Sequence, residues 1–137
     1  MSNFFLHTQL AKDTFFIRDL KLSQLVLMND KRFPWMVLVP RKDGAKELTD
    51  LLPGEQKTLL EEINRVSVFM KQFYRAEKMN VATIGNIVPQ LHIHIVARYA
   101  KDLAWPKPVW GFGDMVPFFE EESKELVSKI QNQLPHG

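Results

Sequence analysis

The segment Gln90-Leu91-His92-Ile93-His94-Ile95-Val96 alternates polar and apolar side chains. Successive strand residues point to opposite faces, so Leu91, Ile93 and Ile95 are predicted to face a core, with Gln90, His92 and His94 on the other side. An ordinary solvent face would more naturally carry Lys, Thr or Glu. Two histidines at i, i+2 therefore mark this strand as the place to look for chemistry. Alternation by itself says only that a strand is half buried. A second reading is metal chelation, because histidines at this spacing can share an ion. Such a site needs further ligands, yet the chain has no Cys, and His7 and His136 lie near its ends. No Asp or Glu stands at a telling offset from the pair.

At 137 residues the chain is expected to form one domain, 1–137, long enough to bury a core. Its apolar share of 45% and charged share of 25% are those of a soluble globular protein. Eighteen Lys and Arg against sixteen Asp and Glu leave a net charge of +2, so no polybasic surface for nucleic acid is expected. A nucleotide-sized anion needs only a few local donors. The lack of cysteine removes disulfides and thiolate nucleophiles and agrees with a cytoplasmic protein. Met1–His7 lacks the basic start and apolar run of a signal peptide, and no stretch approaches a membrane span.

No repeat, low-complexity tract or linker interrupts the chain. Phe4–Ala11 reads as a short helix or an irregular arm. Thr14–Arg18, Leu25–Asn29 and Trp35–Pro40 read as strands, the last so apolar that both faces should be buried. Pro53 suits an early helical position, and Leu59, Ile63, Val66, Met70 and Phe73 make one stripe of a long helix ending near Lys78. Asn80–Ile84 and Leu91–Tyr99 follow as strands, and a final helix runs from about Phe118 to Leu134. Its acidic start, Glu120-Glu121-Glu122, suits the positive end of a helix better than a cation site. Short connections favour antiparallel neighbours, giving an α+β domain with a five-stranded sheet, helix on one face and a cleft on the other.

These residues carry a resemblance. Gln90–Val96 resembles the signature of the histidine triad (HIT) superfamily, His-φ-His-φ-His-φ-φ with φ apolar. The order and spacing of strands and helices follow that family over roughly residues 10 to 100. Asn80–Val96 followed by Trp105-Pro106-Lys107-Pro108-Val109-Trp110-Gly111 is similar to a bacterial branch of small HIT hydrolases, here with Gln at the first triad position. The resemblance implies a single HIT-like domain with its core at about 10–111 and a C-terminal helix at about 118–134.

It also implies a homodimeric enzyme that binds a small nucleotide, needs no cofactor or metal, and cleaves at the α-phosphorus through a nucleotidyl-histidine. Dinucleoside polyphosphates and nucleoside phosphoramidates are the substrates implied. Carried across by position, His92 is the nucleophile and His94 the ligand of the α-phosphate or bridging oxygen. Gln90 replaces the first triad histidine. A nucleophilic imidazole needs one bare nitrogen aimed at phosphorus and the other tied to a fixed acceptor. In the family that acceptor is the backbone carbonyl of the first triad residue, which Gln retains, while its amide can bond near the pocket.

Asn29 resembles the ribose-contacting Asn, and Asn86 falls where the family places an Asn or Gln on substrate. Each also reads as a turn former. Trp35 reads as a pocket wall or as core. The Trp105–Gly111 segment reads as a wall or lid, or as a loop at a subunit interface. Arg98, Lys101 and Lys107 could meet a polyphosphate tail or form a solvated edge. Two other functions stay open: a nucleotide-binding module without turnover, and a metalloprotein using His92 and His94.

Overall fold

The computed structural model describes residues 4–136. Helix α1 (Thr8–Asp13) leads into strands β1 (Thr14–Asp19), β2 (Ser23–Met28) and β3 (Trp35–Pro40). Helix α2 (Pro53–Phe73) follows, then β4 (Lys78–Ala82), β5 (Ile93–Arg98) and α3 (Glu120–Gln133). The strands form one five-stranded antiparallel sheet in the order β1-β2-β3-β5-β4, the α+β arrangement expected. No helix of the described residues is long and apolar enough to cross a membrane.

The period-two pattern of the strands divides the interior into two cores. Leu25, Leu27, Met36, Leu38, Ile93, Ile95 and Ala97 join Leu59, Val66 and Met70 of α2 and Ile130 of α3 in one core. Their neighbours Val26, Met28, Trp35, Val37, Val39 and Val96 join Leu10, Val88, Ala104 and Val109 in the other. Helices thus cover one sheet face, while α1 and the segments around Val88 and Val109 cover part of the opposite face. Every residue of β3 and β5 is buried, as central strands require.

Boundaries differ from the sequence reading where caps or contacts decide them. Helix α2 stops at Phe73 because Arg75 takes the left-handed conformation, φ 54°. Ala76 N–H then bonds the Lys71 carbonyl at 3.0 Å and Arg75 N–H that of Gln72 at 3.3 Å, a terminating loop that satisfies the last carbonyls. Glu62, on the buried side of α2, accepts Leu22 N–H at 2.8 Å and ties the helix to the β1–β2 turn. The acidic start of α3 does serve its own helix end: Glu122 accepts Phe119 N–H at 2.9 Å.

Strand β5 starts at Ile93 rather than Leu91, because Leu91 N–H bonds the Ala45 carbonyl at 2.9 Å, off the ladder. At the other end of β5, Arg98 is neither a phosphate ligand at the cleft nor a solvated edge. It is 1% exposed and paired with Asp102 (2.8 Å). It also donates to Asn80 Oδ1 and the Lys107 carbonyl. Asp102 in turn accepts the amides of Tyr99, Ala104 and Trp105, so one ion pair shapes the turn that launches the tryptophan-rich segment. Burial acts to raise the Asp102 carboxyl, but the Arg98 guanidinium and the Tyr99 and Trp105 amides outweigh it and hold the group at about 2.

Removing one partner of such a pair leaves a buried charge unmatched, so Asp102→Ala is expected to lower the unfolding free energy by about 3–5 kcal/mol in urea titrations. The depressed carboxyl contributes stability that is present above about pH 4 and lost as pH falls toward 2. Melts across that window should show the loss in the wild type and a weakened one in Asp102→Ala.

Candidate active site

His94 sits mid-strand on β5, opposite Val37 of β3 and Ala82 of β4. His92 lies immediately before the first ladder residue and shares the face of His94, with ring centroids 4.9 Å apart. Both are about 5% exposed at the floor of a cleft of about 590 Å³. Trp35, the loop Ile84–Val88, Trp110 and the cleft-facing side of α1 make its walls. Gly85 at φ 66° lets the loop turn over the pair, a conformation that favours glycine.

The hydrogen bonds of the two imidazoles settle their tautomers. His92 Nδ1 is 2.7 Å from the Gln90 carbonyl oxygen, which can only accept. Nδ1 therefore carries the proton, and the Nε2 of neutral His92 holds a bare lone pair. Trp35 Nε1–H, which can only donate, bonds His94 Nδ1 at 3.0 Å. The proton of neutral His94 must then sit on Nε2. Burial, with help from neighbouring His92, pushes His94 down to about 3, so it stays neutral near pH 7. Adjacent histidines on one face thus present a lone pair and an N–H donor. That combination suits attack on an electrophile whose oxygen needs a hydrogen bond.

The sequence-derived candidates divide. His92, His94, Trp35 and Asn86 meet at the cleft. Trp35 belongs to the core and yet acts on the site through its indole N–H, joining both readings made of it. The Gln90 side chain turns away from the cleft to the N-terminal arm: Oε1 accepts His7 N–H at 2.7 Å, and Nε2 donates to the Phe5 carbonyl at 2.9 Å. Only its backbone carbonyl serves His92. Asn29 does not line the cleft, and its Oδ1 accepts Phe118 N–H at 2.9 Å, joining the end of β2 to the approach of α3.

One expected contributor takes its place and two others escaped the sequence reading. Trp110 packs edge-on against His94 (5.5 Å) and Trp35 (6.1 Å), which gives the Trp105–Gly111 segment the part of a wall. Its aromatic density was the available signal. Gln9 and Asp13 of α1 also reach the cleft, and nothing local marked them. Lys101 and Lys107 do not: among the described residues the lining holds no Lys or Arg, and Asp13 is its one carboxylate. Nor do three His, Asp or Glu residues cluster anywhere among the described residues in a way that could hold a metal ion.

Comparison with known proteins accounts for this arrangement. The HIT domain family matches residues 9–101. The chain belongs to that family. Over 98% of its length it superposes on 99% of a histidine triad protein from Sinorhizobium meliloti, with 43% identity and a TM-score of 0.93. A histidine triad protein from Marinobacter aquaeolei is 44% identical, with a TM-score of 0.92 and 96% of each chain covered. Among curated proteins, a bis(5'-adenosyl)-triphosphatase of Saccharomyces cerevisiae is 32% identical over 69 residues, 47% of this chain and 34% of the yeast protein. The chain thus spans about a third of the length of that relative.

The tautomer assignment predicts a simple spectrum. In a ¹⁵N-resolved titration His94 should remain neutral with its proton on Nε2 from pH 8 to about pH 4. Trp35→Phe, which removes the indole donor, should mix the two tautomers. A depressed imidazole means that the unfolded chain takes up its proton first as pH falls below the ordinary 6.5. Stability is therefore expected to fall between about pH 6.5 and 3, and less steeply in His94→Gln.

Proposed function

We propose that the chain is a nucleotide hydrolase or nucleotidyl transferase of the HIT type, in the bacterial branch with Gln at the first triad position. One observation carries the reading: the opposed tautomers of His92 and His94 at a cleft floor. The Nε2 lone pair of His92 attacks the α-phosphorus, and a P–N bond forms as the bond to the leaving group breaks. His94 Nε2–H bonds the α-phosphate or bridging oxygen, where charge grows during in-line displacement. The Gln90 carbonyl, bonded to Nδ1–H, steadies the positive charge that His92 acquires. Water or another acceptor then displaces His92, the P–N electron pair returns to Nε2, and the proton that the attacking hydroxyl gives up balances the one that the departing group takes up. Asn86 is suited to donate to a phosphate oxygen from the loop above.

The yeast relative's name supports a dinucleoside polyphosphate as substrate. The lining favours a less charged one, since among the described residues it offers no Lys or Arg to a polyphosphate chain and sets Asp13 against it. A nucleoside 5'-phosphoramidate carries one phosphate and an amine leaving group, so we place it first. We also propose a homodimer, for which the outer strand β4 offers an open edge beside exposed Val81 and Ile84.

Turnover of adenosine 5'-phosphoramidate and diadenosine tetraphosphate, each in excess chelator, tests the reading. Chelator-resistant hydrolysis is expected, with kcat/KM favouring the phosphoramidate by roughly tenfold, or about 1.4 kcal/mol. His92→Ala should lower kcat by about 10³-fold or more, and His94→Gln by about 10²-fold. Rapid quench should trap nucleotide bonded to His92. Binding without turnover would favour a sensor, and loss of activity with chelator would favour a metal site. Fast turnover with no trapped adduct would remove the covalent mechanism.

A further inference from the structure

The residue in the place of the first triad histidine has its own architecture. The Gln90 carbonyl faces inward to His92, while its side-chain amide faces outward and makes two parallel bonds, from His7 N–H to Oε1 and from Nε2–H to the Phe5 carbonyl. A primary amide offers an acceptor and a donor side by side, as one residue of a neighbouring strand would, and so grips the backbone on both sides of Leu6. The gripped residues lead directly into α1: the His7 carbonyl accepts Ala11 N–H, and His7 Nδ1 accepts Gln9 N–H. Helix α1 then buries Leu10 in the cleft-side core and presents Gln9 and Asp13 to the cleft, joined to each other at 2.7 Å.

We propose that Gln90 is a positioning residue whose side-chain amide clasps the backbone of Phe5 and His7 and so holds α1 as a wall of the nucleotide cleft. The inference rests on the nucleotide reading for the word nucleotide, while the clasp itself does not. Histidine could not replace the amide here, because its two ring nitrogens diverge and cannot meet Phe5 O and His7 N–H together. Glutamate keeps the acceptor for His7 N–H but sets a second oxygen against the Phe5 carbonyl. On this view the glutamine is an exchange of function, in which a triad side chain is given up for a strap that sets the wall opposite the catalytic pair.

Two measurements on the full-length protein test it. The first uses no substrate: the His7 amide is expected to exchange with solvent at least about tenfold faster in Gln90→Ala than in wild type. Equal rates would overturn the clasp. The second compares Gln90→Ala with His7→Pro, which deletes the N–H of the clasp together with the imidazole cap of α1 at a φ of −51° that proline tolerates, and with His7→Ala as the control that loses the same cap but keeps the N–H.

Gln90→Ala, and His7→Pro measured relative to His7→Ala, should each lower kcat/KM by about tenfold, mostly through KM, and adding Gln90→Ala to His7→Pro should cost nothing further. His7→Ala, which keeps the N–H, should lose clearly less than His7→Pro. Additive losses, or a loss confined to kcat, would overturn the proposal. So would a gain of activity in Gln90→His, which would make the glutamine a degraded triad member. If the wild type hydrolyses no nucleotide, the functional reading fails, while the exchange of the His7 amide still decides the clasp.

Discussion

The pairing of β3 with β5 is the constraint on which the rest of the molecule depends. Both strands are buried along their whole length, and their register sets Val37 against His94 and Trp35 against Val96. Because strand side chains alternate, that register sends Met36, Leu38, Ile93 and Ile95 to the helices and Trp35, Val37, His94 and Val96 to the cleft side. A slip of one residue would bury His94 against α2 and turn Ile95 into the cleft. The apolar core under the helices thus holds the chemistry on the other face in place.

That register also brings the Trp35 indole diagonally across to His94. Two equivalent imidazoles are made inequivalent by one donor and one acceptor: a carbonyl that can only accept holds Nδ1–H of His92, and an N–H that can only donate holds bare Nδ1 of His94. Burial among Trp35, Trp110 and the sheet keeps His94 uncharged, so the N–H it presents does not come and go near neutral pH. In the mechanism we propose, this polarity separates nucleophile from phosphate donor without a metal.

The walls are held by polar interactions at the margins of the sheet. Arg98 and Asp102 close the end of β5 and direct the chain into the segment that delivers Trp110. Gln90 grips the arm that leads into α1. Asn29 joins the end of β2 to the residues before α3. Arg98 and Asn29 were read for substrate contact and Gln90 for a place beside the pocket, yet the side chain of each spends its hydrogen bonds on the protein. The cleft is consequently lined mostly by apolar and aromatic groups around a few polar ones, as ligand sites commonly are.

How much of this was legible in the chain follows from what is local. The alternation around His92 and His94, the apolar run of Trp35–Pro40 and the four-three stripe of α2 are periodic signals that burial imposes on the sequence, and they revealed the α+β class and the shared histidine face. The Gln90 carbonyl was foreseeable because any residue supplies one. The direction of the Gln90 side chain, the Trp35 partner and the place of α1 at the cleft were not, since each joins residues distant in sequence (83 positions separate His7 from Gln90, 59 separate Trp35 from His94). The sequence by itself determined the strands, the helices and the pair of histidines, because those depend on neighbours one to four residues away. Only the tertiary structure decided which nitrogen bears each proton and what walls the cleft, because strand register and loop paths bring those groups together.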